Sequence, residues 1–180
     1  MTAAGGSITD GSDGDLAIAG LAEFTAGTSI VLGSGDFNAG SLTFDSGGSV
    51  NLTEDSSMLI ADASRAAGLD LVSTSNVTLN ASVTVVGDTS INANDDITVN
   101  AAVVASDQIT VSAGEDGSGS FVLGLSGSLK TTDSESDVVV TTGTDSGDIT
   151  LSGTTRALGQ VNMTAAGGSI TDGSDGDLAI

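Results

Sequence analysis

The sequence predicts an all-β fold and, within that class, a right-handed parallel β-solenoid (a β-helix) of about eight coils per 162 residues. Three observations carry the expectation. The first is composition. Among 180 residues there are 26 Gly, no Pro, no Cys, no His, no Trp and no Tyr, and only four Phe. Asp, Asn, Ser and Gly favour turns over helices, while Val, Ile and Thr favour strands. No stretch of a dozen residues carries a helical apolar stripe free of Gly; the nearest, AAVVAS at 101–106, is too short. The second observation is strand length. Apolar residues come in runs of three to five between turn residues, shorter than the strands of a β-sandwich. The third is repetition. Met163 to Ile180 copies Met1 to Ile18 letter for letter, MTAAGGSITDGSDGDLAI. An 18-residue identity at an offset of 162 marks a tandem array.

The strand-like runs are GSIT (6–9), TSIVLG (28–33), SLTFD (41–45), GSVNLT (48–53), SNVTLN (75–80), SVTVVG (82–87), TSINAN (89–94), DDITVN (95–100), DQITVS (107–112), GSFVLG (119–124), SDVVVT (136–141) and GDITLS (147–152). Many hold an alternating trio such as Ile97-Thr98-Val99, which turns two aliphatics to one side and Thr to the other. Val50, Leu71 and Ile91 recur at 20 to 21 residues, and Val77 to Ile97 is 20, setting a coil of about 20 residues. Ile8 to Ile30 is 22, and 61–68, around Arg65, reads as an irregular insertion. A thin solenoid core has room for Phe only where a coil widens. Residues 1–162 form one repeat unit, and 163–180 open the next identical one. The chain is then a window on a longer repetitive protein, with Met1 an internal residue.

Charge narrows the function. Lys and Arg number three (Arg65, Lys130, Arg156) against 24 acids, of which only Glu23, Glu54, Glu115 and Glu135 are Glu, for a net −21. Such charge alone suggests disorder, but 38% hydrophobic residues and a mean hydropathy of +0.25 supply a core. Nucleic acid and anionic membranes are repelled, and no apolar run approaches the roughly 20 residues of a membrane helix. Without His or Cys there is no Ser-His-Asp triad, thiol nucleophile or His-ligated metal. Asp95 and Asp96 are adjacent acids, but neighbours on a strand face opposite ways, so no carbohydrate-cleaving pair and no enzyme are expected. Asn51, Asn76, Asn80 and Asn162 match the glycosylation triplet, as expected from composition. The outward mixture of Asn51, Asn92, Thr98 and Thr110 lacks the Thr ladder of an ice-binding face.

DITVNAAVVASDQITVSAGEDG (96–117) and VNMTAAGGSITDGSDGDLAI (161–180) resemble filamentous-hemagglutinin-type repeats of giant bacterial surface proteins. The resemblance implies a long β-helix exported to the cell surface and displayed as an adhesive filament, stalk or sheath. The competing expectation is a string of calcium-dependent β-sandwich adhesion domains.

Calcium is the one ligand the residues suggest. Asp10, Asp13 and Asp15, repeated as Asp172, Asp175 and Asp177, place three carboxylates in six residues with Gly allowing tight turns, an oxygen-rich set that suits a hard cation. The pattern matches neither an EF-hand loop nor a Gly-Gly-x-Gly-x-Asp repeat, and a solvated turn is the simpler account of it. Residues 1–18 hold three acids and no base, so one period carries 18 of the 21 net charges. Over about 39 Å that approaches the line density of duplex DNA, enough to condense divalent cations between rods. The expected partners are copies of the chain itself, in tandem and side by side, and divalent cations.

Overall fold

The computed structural model describes residues 1–12, 14–33, 36–173 and 177–179. Every strand pair among them is parallel, and the strands stack into a solenoid of about eight turns. A full turn has three sides. Side 1 stacks Met58–Ile60, Val77–Leu79, Ile97–Val99, Phe121–Leu123, Ile149–Leu151 and Ile170–Asp172. Side 2 stacks Ser64–Ala66, Val83–Val85, Ala102–Ala105, Ser128–Thr131, Thr154–Arg156 and Asp177–Ala179. Side 3 runs the whole length, from Ile8–Thr9 and Ile30–Leu32 through Ser49–Glu54, Gly68–Ser73, Thr89–Ala93, Ile109–Ala113 and Val138–Thr142 to Val161–Ala165. Parallel stacking leaves no antiparallel sandwich among the described residues, which removes the adhesion-domain alternative as a fold.

Period-2 alternation does the sorting. Nearly every trio buries its first and third residues and turns the middle one outward, as Val77-Thr78-Leu79 and Ile97-Thr98-Val99 do. Each buried residue sits directly over its counterpart, Met58 on Val77, Val77 on Ile97, Ile97 on Phe121, so the core is a set of axial columns. Backbone hydrogen bonds run along the axis between coils, for example Val77 N–H to Asp96 O at 2.9 Å and Ile97 N–H to Ser120 O at 2.9 Å.

The structure corrects several details of the sequence reading. Val77 and Ile97 are ladder partners, as the spacing predicts, but Leu71 stacks on Leu52 rather than Val50; Val50 pairs with Leu69. The 22-residue step from Ile8 to Ile30 is a true coil. The segment around Arg65 is no insertion: Ser64–Ala66 is an ordinary side-2 strand. AAVVAS holds the strand Ala102–Ala105. Later coils lengthen only at corners, where Gly114 and Gly117 take positive φ of 75° and 115° and Glu135 takes 68°.

The first two complete turns are wider. Leu16–Ala26 and Phe37–Ser46 each run as one strand along sides 1 and 2, preceded by an extra stretch in which Leu16 to Ile18 pair with Phe37 to Ala39. Three of the four Phe lie in these turns, with Phe24 and Phe37 edge to face at 6.1 Å. A widened coil is where an aromatic ring fits.

The duplicated segment stacks differently at its two ends. In the first copy Thr2–Ala3 pairs with Thr25 and Ala26 on side 2, and Ile8–Thr9 lies on side 3. In the second copy Thr164 and Ala165 lie on side 3 against Thr141 and Thr142, and Ile170–Asp172 lies on side 1 against Ile149 to Leu151.

Candidate functional site

The acidic motif is placed by the end of the first side-3 strand. Asp10 follows Ile8–Thr9, is half-buried, and its Oδ2 accepts the Gly33 N–H of the next coil at 2.6 Å. Gly14 N–H closes the turn onto Gly11 O at 2.9 Å, and Asp15 is exposed beyond it. In the second copy Asp172 ends a side-1 strand and Asp177 begins a side-2 strand, both exposed. Asp13 and Asp175 lie outside the described residues. Among the described residues no three acidic side chains converge on one point. The same letters thus sit in two different surroundings.

Five other Asp and Asn side chains of the corners, Asn76, Asp88, Asp96, Asp137 and Asp148, have a shared task that sequence reading missed. At the corner from side 3 to side 1, four successive coils from Asn76 onward each offer a side-chain oxygen to the backbone N–H of the next. Asn76 Oδ1 accepts from Asp96 N at 3.0 Å, Asp96 Oδ1 from Ser120 N at 2.8 Å, Ser120 Oγ from Asp148 N at 3.1 Å, and Asp148 Oδ1 from Ser169 N at 2.8 Å. The corner from side 2 to side 3 does the same with Asp88 to Gln108 N (3.1 Å) and Asp137 to Gln160 N (2.6 Å). Between sides 1 and 2, Asn100 Nδ2 donates to Asn80 Oδ1 at 2.9 Å. A carboxylate accepting a backbone N–H makes a charge-assisted bond, and these ladders cap strand starts that would otherwise face water. The signal stood in the sequence: a short polar residue immediately precedes the apolar trio in Asn76-Val77, Asp96-Ile97, Ser120-Phe121 and Asp148-Ile149.

Asp95 and Asp96 need a second correction. They occupy the turn before Ile97–Val99, not a strand, and line one open groove of about 660 Å³ together with Asp148. Each is already engaged: Asp95 Oδ2 accepts from Ser75 Oγ at 3.0 Å, and Asp96 is bound as above.

Two further features stand out electrostatically. Glu54 ends a side-3 strand, points inward and is fully buried. Its Oε1 accepts Ala39 N–H at 2.8 Å, with Ser56 Oγ at 3.5 Å, while Oε2 has no partner. Loss of hydration pushes its pKa from 4.5 to about 7, against the lowering influence of those hydrogen bonds and with a smaller push from Asp55. The second feature is the outward ladder of side 2: Thr2, Thr25, Asp45, Arg65, Thr84, Val104, Lys130, Arg156. All three basic residues of the chain stand in this one row. Arg65 forks onto Asp45, Nε to Oδ1 at 2.7 Å and Nη2 to Oδ2 at 3.1 Å, and holds the Asp45 carboxyl below its usual pKa. Lys130 and Arg156 are direct neighbours across the ladder.

No family model, no curated protein and no solved structure matches this chain.

Proposed function

We propose that this chain is a structural link: one period of a long tandem solenoid that forms a filament, stalk or sheath at a bacterial cell surface. The observation that carries the reading is the duplicated segment. Eighteen identical residues join the same parallel stack at both of its ends, Ile8 on Ile30 and Ile170 on Ile149, so one copy can follow another without a break in the ladder. The chemistry of the surface supports a mechanical role over a catalytic one. Corner carboxylates of Asp88, Asp96, Asp137 and Asp148 are engaged in holding coils together, and the core is a continuous, mainly apolar stack. In this reading the remaining acidic charge keeps neighbouring rods apart until divalent cations bridge them, and calcium at the Asp10 to Asp15 turn adds to that bridging.

The test is surface labelling of intact cells that produce the full-length protein. Antibody against this chain should decorate intact cells as extended fibres, and chelation of calcium should loosen fibre bundles while each fibre keeps its length. Labelling only after the cells are permeabilised would contradict the location. Individual fibres that slacken on chelation would contradict the continuous ladder.

A further inference from the structure

The two placements of the duplicated segment fix how far the solenoid has turned in 162 residues. Thr2 lies on side 2 and Thr164 on side 3; Ile8 lies on side 3 and Ile170 on side 1. Between either pair the chain makes seven full turns and passes one side more. The period is therefore seven and a third turns, not a whole number.

We propose that successive 162-residue copies are advanced by a third of a turn, so that the row bearing Arg65, Lys130 and Arg156 faces a new side in each copy and returns only in every third. The inference rests on the reading of the chain as a link in a tandem array. It turns a chemically lopsided rod into an evenly presented fibre. Within one copy only side 2 is basic, and a whole-turn period would draw that basic stripe down one side of the entire array. A third-of-a-turn advance gives each side the stripe in rotation, with the pattern recurring after 22 turns, about 106 Å at ~4.8 Å per turn.

The packing explains why one segment tolerates both positions. The core-side parity is kept: Ala3 and Ile8 in the first copy correspond to Ala165 and Ile170 in the second, Ile170 being in register with inward Ile149 while itself 52% exposed. Each meets a neighbour of its own size. Ala3 stacks on Ala26 and Ala165 on Thr142, both small, while Ile8 stacks on Ile30 and Ile170 on Ile149. In the second copy Val161 and Met163, ahead of and within the repeated letters, pack on the core against Val138 and Val140 and secure side 3. A whole-turn period would instead lay Ile170 to Asp172 over Val138 to Val140 and displace that strand.

Disulfide trapping in the 180-residue chain tests the register, since the protein has no Cys of its own. Ladder neighbours about 4.8 Å apart fall within the ~4.4–6.8 Å Cα separation of a disulfide. Three double variants are oxidised and their free thiols counted. Thr78→Cys/Thr98→Cys, partners in the middle of side 1, calibrates the reaction. Thr150→Cys/Thr171→Cys should lose both thiols as the calibrating pair does, because these residues are partners across the repeat boundary. Val139→Cys/Thr171→Cys should keep both. Oxidation of the Val139 pair, or failure of the Thr150 pair while the Thr78 pair closes, overturns the advance. The result is independent of where the protein resides or whether it forms fibres, which the surface labelling addresses separately.

Discussion

Sides 1 and 2 of the solenoid share a backbone arrangement and differ in what they put inside. Side 1 buries Met58 and Ile60, Val77 and Leu79, Ile97 and Val99, Phe121 and Leu123, Ile149 and Leu151. Side 2 buries Ser64 and Ala66, Val83 and Val85, Val103 and Ala105, Leu129 and Thr131 at the corresponding positions. The three sides of a narrow coil share one interior, so bulk on one wall has to be matched by small residues on another. Of these two walls side 1 supplies the larger apolar burial, and side 2 supplies the fit. Outward the contrast continues, since side 1 carries Leu59, Thr78, Thr98, Val122 and Thr150 while side 2 carries Asp45 and all three basic residues.

The largest expected effect breaks side 1 where it is deepest. Leu79→Ala empties a fully buried position in the middle of the stack and should lower unfolding free energy by about 2–5 kcal/mol in urea titrations. On side 2 the sign of the size change reverses. Ala105→Leu adds bulk where the wall has to be thin and should cost about 1–3 kcal/mol, where an indifferent side 2 would accept it.

Glu54 comes next, because it is a charge-bearing group on the inner wall. Its folded pKa of about 7 lies above the unfolded 4.5, so the folded state holds the proton more tightly. Below pH 4.5 both states are protonated and the group costs nothing; as pH rises from 4.5 to 7 the penalty grows, and above 7 it is complete, at about 3 kcal/mol. Glu54→Gln should therefore raise stability at pH 8, leave it nearly unchanged at pH 4.5, and flatten the loss between them. Parallel pH–stability curves for the two proteins would remove Glu54 from the account.

Two buried threonines separate satisfied from unsatisfied polarity. Thr131, on side 2, donates to Ser136 O at 3.0 Å and accepts from Leu158 N at 3.1 Å, whereas the buried Oγ1 of Thr89 on side 3 has no partner. Thr131→Val should cost about 1–3 kcal/mol, and Thr89→Val should be neutral or stabilising, by thermal unfolding. The smallest effect lies at a corner. Glu135 is the single non-glycine residue at positive φ among those described, and Glu135→Asn should gain roughly 0.5–1 kcal/mol.

The contrast between sides also explains what was legible beforehand. Trios such as Ile97-Thr98-Val99 and Ile149-Thr150-Leu151 announce themselves by alternation, and all twelve sequence-read runs fall on strands of the stack. Side 2 is nearly silent: Ser64-Arg65-Ala66, Ser128 to Thr131 and Thr154 to Arg156 lack the aliphatic pair, and Ala102 to Ala105 is apolar throughout and lacks the alternation that marks a strand. Only stacking against Val83 to Val85 and its neighbours makes them strands. The Leu71 register slipped by two residues because Val50 and Leu52 are both inward and aliphatic, leaving spacing alone unable to choose. The acidic corners were visible as composition, but their task depends on which coil lies above, and that is information about neighbours some 20 to 28 residues away. The third-of-a-turn advance has the same origin, since it follows from the sum of all coil lengths.

X-ray fibre diffraction from aligned fibres of the full-length tandem protein tests the central claim most directly. Strands lying across the axis in a continuous stack predict a meridional reflection near ~4.8 Å. Fibres that lack it, and show only a long beaded spacing, would contradict the continuous solenoid.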